Sequence, residues 1–200
     1  MVCLFGRATL GLVGVLISGP LLYVLPASLS LPRGRRPGLE DLTLDQAAVQ
    51  LRQSGAEGWS IVEQARWLVG ERMAYCRRNG FDSYNKAFRR GYGYCEQSAL
   101  ALAHLLRLLG FDARPVHSER NRFPGRDTPT GHAWVRVFYS GEGRDVDPHY
   151  QNPATGEVLF EPGEDAREYS PAFRIIARWG SPIANAYRYY RTGSDVDPDY

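Results

Sequence analysis

Cysteine is scarce, with three in 200 residues, and one of them, Cys3, lies in an apolar leader. That excludes a disulfide scaffold, which needs a dense and usually even set of cysteines. A charge excess is missing too. The formal net charge of +2 gives no reason to expect nucleic acid as a partner. No long repeat occurs. The hydrophobic share of 44% and charged share of 23% are ordinary, so the chain has enough apolar material for one packed domain with appendages.

Charge is also absent between Arg7 and Arg33. Residues 1–32 therefore read as a signal peptide or membrane anchor, to be set aside from fold reasoning. Ala27, Ser28 and Ser30 suit cleavage, while the uncharged run is long enough to span a bilayer. Arg33, Arg35 and Arg36 outnumber Arg7, which for an uncleaved helix would leave the domain on the cytoplasmic side. The expected location is extracytoplasmic or membrane-anchored, with the side of the membrane open.

Residues 33–59 form a linker and a short helix, about Leu44–Arg52, opened by a Thr43/Gln46 capping box. The core spans 60–165. It begins with a helix over Ile61–Arg78 behind Ser60 and Glu63, closed by Gly80. Val62, Ala65, Val69, Met73 and Cys76 share its apolar face, making Cys76 a buried, inert thiol. Phe81–Tyr94 reads as an ordered aromatic loop, and the basic residues Arg72 to Arg90 as a solvated surface. Residues 166–200 form a helical extension, about Pro171–Tyr190, and a tail. Its DVDPDY (195–200) repeats the DVDPHY of 145–150 and reads as a chance echo.

The chemistry centres on GYGYCEQSALALAHLLRLL, Gly91–Leu109. Glycines deliver Cys95 to the first turn of a helix apolar almost all round, a helix for the interior. Free N–H groups and the positive dipole end there favour a thiolate. Asn121–Gly131, rich in Pro, Gly and Thr, is a loop overhanging the site of His132. His132–Tyr139 alternates as a strand, with Ala133, Val135 and Val137 on one side and His132, Trp134 and Arg136 on the other. A turn at Gly141–Gly143 returns the chain through Arg144–Asp147 and brings Asp147 beside the start of that strand. A cysteine nucleophile needs a base, and the base an orienting acceptor. Cys95, His132 and Asp147 meet that need, with Asp147 accepting the Nδ1–H of His132 and Nε2 facing the thiol. The Cys95 N–H is a first oxyanion donor, with Tyr92 or Tyr94 as a second. Trp134 packs beside the site and shields it. His104 faces elsewhere, while His117 and His149 read as structural or surface residues.

GYGYCEQSALALAHLLRLLGFDARPV, GHAWVRVF and DVDP, in this order and spacing, resemble the core of the transglutaminase-like superfamily. The resemblance covers roughly Ile61–Pro162. It implies an α+β, papain-like fold, with the cysteine helix buried on an antiparallel sheet. By matching position it makes Cys95 the nucleophile, His132 the general base and Asp147 the orienting acid. Arg136 departs from an acidic residue frequent in the family, and Gly143-Arg144 stands where a tryptophan is common.

The expected activity is cysteine-dependent acyl transfer on peptide-like amides, most simply hydrolysis by a protease or amidase through a thioester. A peptide or protein is the expected substrate. The chemistry needs no cofactor, and no acidic loop supports calcium. Two rivals stand beside it: a catalytically silent, membrane-attached binding or assembly module, and a zinc site made of Cys95, His132 and Asp147.

Overall fold

The protein is described here by a computed structural model covering residues 21–195; the side chains of Pro171 and Ile176 lie outside that description. Four helices cover one face of a four-stranded antiparallel sheet. In chain order they are α1 (Leu44–Gln53), α2 (Gly58–Arg72), α3 (Tyr84–Arg90) and α4 (Cys95–Leu108). The sheet, in order β5-β4-β3-β6, is built from β3 (Asp112–Asn121), β4 (Thr130–Tyr139), β5 (Glu142–Val146) and β6 (Arg167–Glu168). A long helix, α5 (Pro171–Thr192), ends the fold. The α+β class and the buried cysteine helix are those expected.

The central helix α4 is buried because Ala99, Ala101 and Ala103 let neighbours approach closely, while Leu102, Leu105 and Leu106 fill the space between. Around it stand Ala47 and Leu51 of α1, Val62 and Val69 of α2, Phe88 of α3, and Ala133, Val135 and Val137 of β4. Burial of each such leucine is worth about 1.5–3 kcal/mol. Trp134 points to the opposite face of β4, where it meets Val116, Phe123 and Phe160 in a second cluster. Alternation along β4 thus divides the residues between two cores, as expected of a strand covered on both sides.

α1 starts at the expected capping box: Gln46 N–H donates to Thr43 Oγ1, and Thr43 N–H to Gln46 Oε1. Three local expectations fail. α2 stops at Arg72, because the next residues pair in parallel, β1 (Ala74–Tyr75) against β2 (Tyr92–Gly93). This long-range pairing overrides helical periodicity, so Cys76 sits after β1, still 2% exposed. Within the presumed aromatic loop, Ser83 and left-handed Gly91 bracket the extra helix α3. The β4–β5 hairpin turns at Ser140–Gly141, whose φ of 51° and 81° suit a two-residue turn, and Gly143 lies inside β5 opposite Phe138.

The two ends of the described chain meet each other, and residues 1–20 lie outside the described residues. Residues 21–29 are helical, and Val24 and Ala27 are buried against Ala186 of α5. Tyr190 Oη donates to the carbonyl of Tyr23 and accepts from the N–H of Ala27. Asp195, the first residue of the presumed solvated echo, accepts from the Arg78 guanidinium at 2.8 Å; the rest of the echo lies outside the described residues. Part of the apolar surface of α5 is not packed away: Ile175 is 66% exposed and Trp179 56%. Among the described residues no helix is long and apolar enough to cross a membrane.

Candidate active site

Cys95 is the first residue of α4 and is half-buried. Its approach is held by Gln97, whose Oε1 accepts from Tyr94 N–H while Nε2 donates to the carbonyls of Asn79 and Asp82. Asn79 in turn donates to the carbonyl of Tyr92 at 2.6 Å. The loop before the thiol is therefore tied to the helix it opens.

His132, near the start of β4, is 3% exposed. Its Nε2 lies 2.6 Å from Asp147 Oδ2, and the Cys95 thiol is near enough to act on the imidazole electrostatically. Asp147 follows the end of β5, which pairs Val146 with Val135 and so delivers the carboxylate beside the histidine. The ring assignment is the reverse of that expected. Asp147 engages Nε2, so Nδ1 is the ring nitrogen left over. Burial works against a charge on His132, but the Asp147 carboxylate, with a further contribution from Cys95, outweighs it and raises the imidazole to about 9. On Asp147 burial acts upward, and His132, His149 and the Tyr150 N–H together hold the carboxyl below its ordinary range.

The loop after β5 completes the Asp147 environment. Asp147 Oδ1 accepts from the N–H groups of His149 and Tyr150 at 2.8 and 2.7 Å. Asp147 N–H donates to Gln151 Oε1, and Gln151 Nε2 reaches Glu63 on α2 at 2.7 Å. The backbone of Pro148 also rests on α2, at Gly70. A Cβ on Gly70 would stand 2.3 Å from the Pro148 carbonyl oxygen, so only glycine admits this approach. Sequence reasoning passed over Gln151, Glu63 and Gly70. The pattern DPHYQ was the available signal, a short polar run directly after the acid.

His149 was also underestimated. Its Nε2 lies 3.2 Å from Ser98 Oγ, one turn along α4 from Cys95, and its ring meets Tyr75 edge-on. Burial lowers its affinity for a proton, with the Asp147 carboxylate opposing. The His132 ring is walled by Phe123, Tyr150 and Phe160 at 5.0–5.3 Å between centroids and lies nearly parallel to Trp134 at 6.5 Å. Phe123 comes from the loop between β3 and β4, and Trp134 is fully buried beside the histidine. Asp145 does not compete for the histidine, because it is ion-paired to Arg136 at 2.8 Å. That pairing also absorbs the charge of the departure at Arg136.

The two tyrosines take different positions. Tyr92 lies half-buried in β2 opposite Ala74. The Tyr94 side chain is buried and lines a cavity between α4 and α5, near the Glu96 carboxyl. His104 stacks on Tyr84, and His117 contacts Glu119, Tyr169 and Phe173, away from the thiol. As for the zinc rival, the Asp147 carboxylate is hydrogen-bonded directly to His132 Nε2. Among the described residues no group of three or more His, Cys, Asp and Glu is placed to hold a metal ion.

Comparison with known proteins shows the family of the chain. The profile of the transglutaminase-like superfamily matches residues 47–148, half of the chain. No curated protein matches. Among solved structures, a Cytophaga hutchinsonii protein provisionally classed as a cysteine protease is 18% identical, with a TM-score of 0.45 over 64% of this chain and 46% of its own. The periplasmic domain of TgpA from Pseudomonas aeruginosa is similar in two structures, one bound to ethylmercury. Identities are 24% and 23%, the TM-score is 0.39 in both, and the match covers 60% of this chain. The chain spans less than half the length of each of these neighbours. The matched span carries Cys95, His132 and Asp147 on the helix, strand and strand end just described, and the chain belongs to the transglutaminase-like superfamily, whose chemistry in general is cysteine-based acyl transfer.

Proposed function

We propose that the protein is a cysteine-dependent hydrolase of peptide-like amides, acting through a Cys95–His132–Asp147 triad. The observation that carries this reading is the buried 2.6 Å contact between His132 and Asp147, with the Cys95 thiol near enough to act on the same imidazole. The raised affinity of His132 for a proton suits an imidazolium that holds the proton of the thiol.

Cys95 Sγ attacks the amide carbonyl carbon, and the carbonyl electron pair moves onto oxygen. The Cys95 N–H, at a helix start where such groups have no intrahelical acceptor, donates to that oxyanion. As the tetrahedral intermediate collapses, the C–N bond breaks and His132 Nδ1–H protonates the departing amine, leaving a thioester. Water then attacks the thioester, giving its proton to His132, and the acid and free thiolate are released. Asp147 keeps the ring oriented and stabilises its charge. Trp134, Phe123 and Phe160 keep bulk water from the imidazole. The working location is extracytoplasmic or at a membrane, supported by the apolar segment ahead of the domain.

The test is turnover of a library of acyl and peptidyl substrates by wild type and Cys95→Ala. Loss of at least about a thousandfold in kcat is expected, with a thioester trapped by hydroxylamine in the wild type alone. Unchanged turnover in the variant refutes the mechanism.

A further inference from the structure

The loop that carries Asp147 is fastened to two helices. Gln151 and Pro148 hold it to α2, through Glu63 and Gly70. His149 holds it to α4, the helix of the nucleophile. Its Nε2 lies 3.2 Å from the Oγ of Ser98, a fully buried serine. Ser98 stands three residues after Cys95, so helical spacing sets the two side chains on neighbouring positions of α4.

The other contacts of His149 converge on the same place. Its backbone N–H donates to Asp147 Oδ1 at 2.8 Å, while Asp147 Oδ2 lies 2.6 Å from His132 Nε2. Its ring meets that of Tyr75 edge-on, 6.3 Å between centroids. Tyr75 pairs in β1 opposite Gly93, two residues before Cys95. One residue therefore touches the strand that pairs ahead of the nucleophile, the helical turn after it, and the acid.

We propose that His149 is a positioning residue: its hydrogen bond to Ser98 fixes the Cys95 helix against the Asp147–His132 pair and so keeps the thiol within reach of the imidazole. The proposal rests on the Cys95–His132–Asp147 reading above. The nucleophile and the acid come from elements far apart in the chain, and a misplacement of about 1 Å between reacting groups can cost about a hundredfold in rate. Burial keeps the His149 imidazole from taking up a proton at neutral pH, so the ring acts as a neutral partner of the hydroxyl and leaves the Asp147 charge to His132. A packing role would need only the shape of the ring; positioning needs the bond.

The test is the rate at which iodoacetamide alkylates Cys95 at pH 7.5 in the full chain, read by peptide mapping, alongside kcat and KM for p-nitrophenyl acetate. His149→Phe keeps a ring against Tyr75 but cannot bond Ser98, and Ser98→Ala removes the other partner. His149→Gln offers an amide near the place of Nε2. His149→Phe and Ser98→Ala are each expected to slow alkylation at least about tenfold and to lower kcat with little change in KM. The double variant should be no slower than the single ones, because both remove the same bond, and His149→Gln should recover most of the rate. Circular dichroism establishes that each variant is folded. Alkylation needs no turnover, so it decides the proposal even with a wild type inactive on the ester, an outcome that counts against the hydrolase reading alone. An unchanged alkylation rate in His149→Phe, losses that add in the double variant, or no recovery in His149→Gln overturns the proposal.

Discussion

His132 Nε2 and Asp147 Oδ2 lie 2.6 Å apart with both side chains withdrawn from solvent. This contact decides two properties of the site: which ring nitrogen is left for Cys95, and how strongly the imidazole holds its proton. Both lead to measurements.

Activity should be limited on the alkaline side by loss of the His132 proton. Because Asp147 and Cys95 raise that imidazole to about 9 against the penalty of burial, kcat/KM should hold through neutral pH and fall above about 9. In Asp147→Asn the main opposing charge is gone and the limb should move to lower pH. A pH–rate profile of the two proteins checks this; an unmoved limb would mean that Asp147 does not act on His132.

The same pair sets the pH dependence of stability. His132 is raised above its ordinary 6.5, so its contribution is complete below about 6.5 and is lost as pH rises through about 9. Asp147 is lowered below its ordinary 3.8, so its contribution is present above that value and is lost as pH falls through the folded-state value. Thermal melts should therefore decline on the alkaline side between about 6.5 and 9. The decline should be smaller in Asp147→Asn than in the wild type.

The two cysteines of the described domain should react differently. Burial, with Asp195 adding to it, pushes the Cys76 thiol up to about 12, and Cys76 is 2% exposed. Cys95 is half-buried at a helix start. Iodoacetamide at pH 7.5 followed by peptide mapping should find Cys95 modified and Cys76 intact until the protein is unfolded.

Gly70→Ala should weaken the fold and the site together. The added Cβ would stand 2.3 Å from the Pro148 carbonyl oxygen, so α2 and the loop holding Asp147 must separate. Destabilisation of about 1–3 kcal/mol is expected from such overpacking. Denaturant melts give that figure, and kcat should fall even where the variant remains folded, because Asp147 is displaced from His132.

A substitution at the hairpin separates fold from site. Gly141 holds a φ of 81° in the two-residue turn, a conformation costly for a β-branched residue. Gly141→Val should lower stability by about 1–3 kcal/mol with no change in which cysteine iodoacetamide labels.

The sequence by itself determined the cysteine helix, the histidine strand and the aspartate strand, since each rests on local pattern: 3.6-residue spacing of apolar residues, alternation, and proline or glycine stops. It likewise determined that α1 begins at Thr43, where two hydrogen bonds span only four residues. What depends on partners distant in the chain was decided by the tertiary structure. α2 ends at Arg72 because Ala74 and Tyr75 find Tyr92 and Gly93, a pairing no local window contains. Asp147 meets Nε2 rather than Nδ1, an orientation of the His132 ring that no local pattern fixes. His149 joins the site through Ser98, 51 positions away. Glu96, polar by composition, is buried only because α5 and residues 21–29 close over it. Local patterns name the reactive groups; the direction each group faces is fixed by long-range packing, whose energy is shared among residues far apart in the chain.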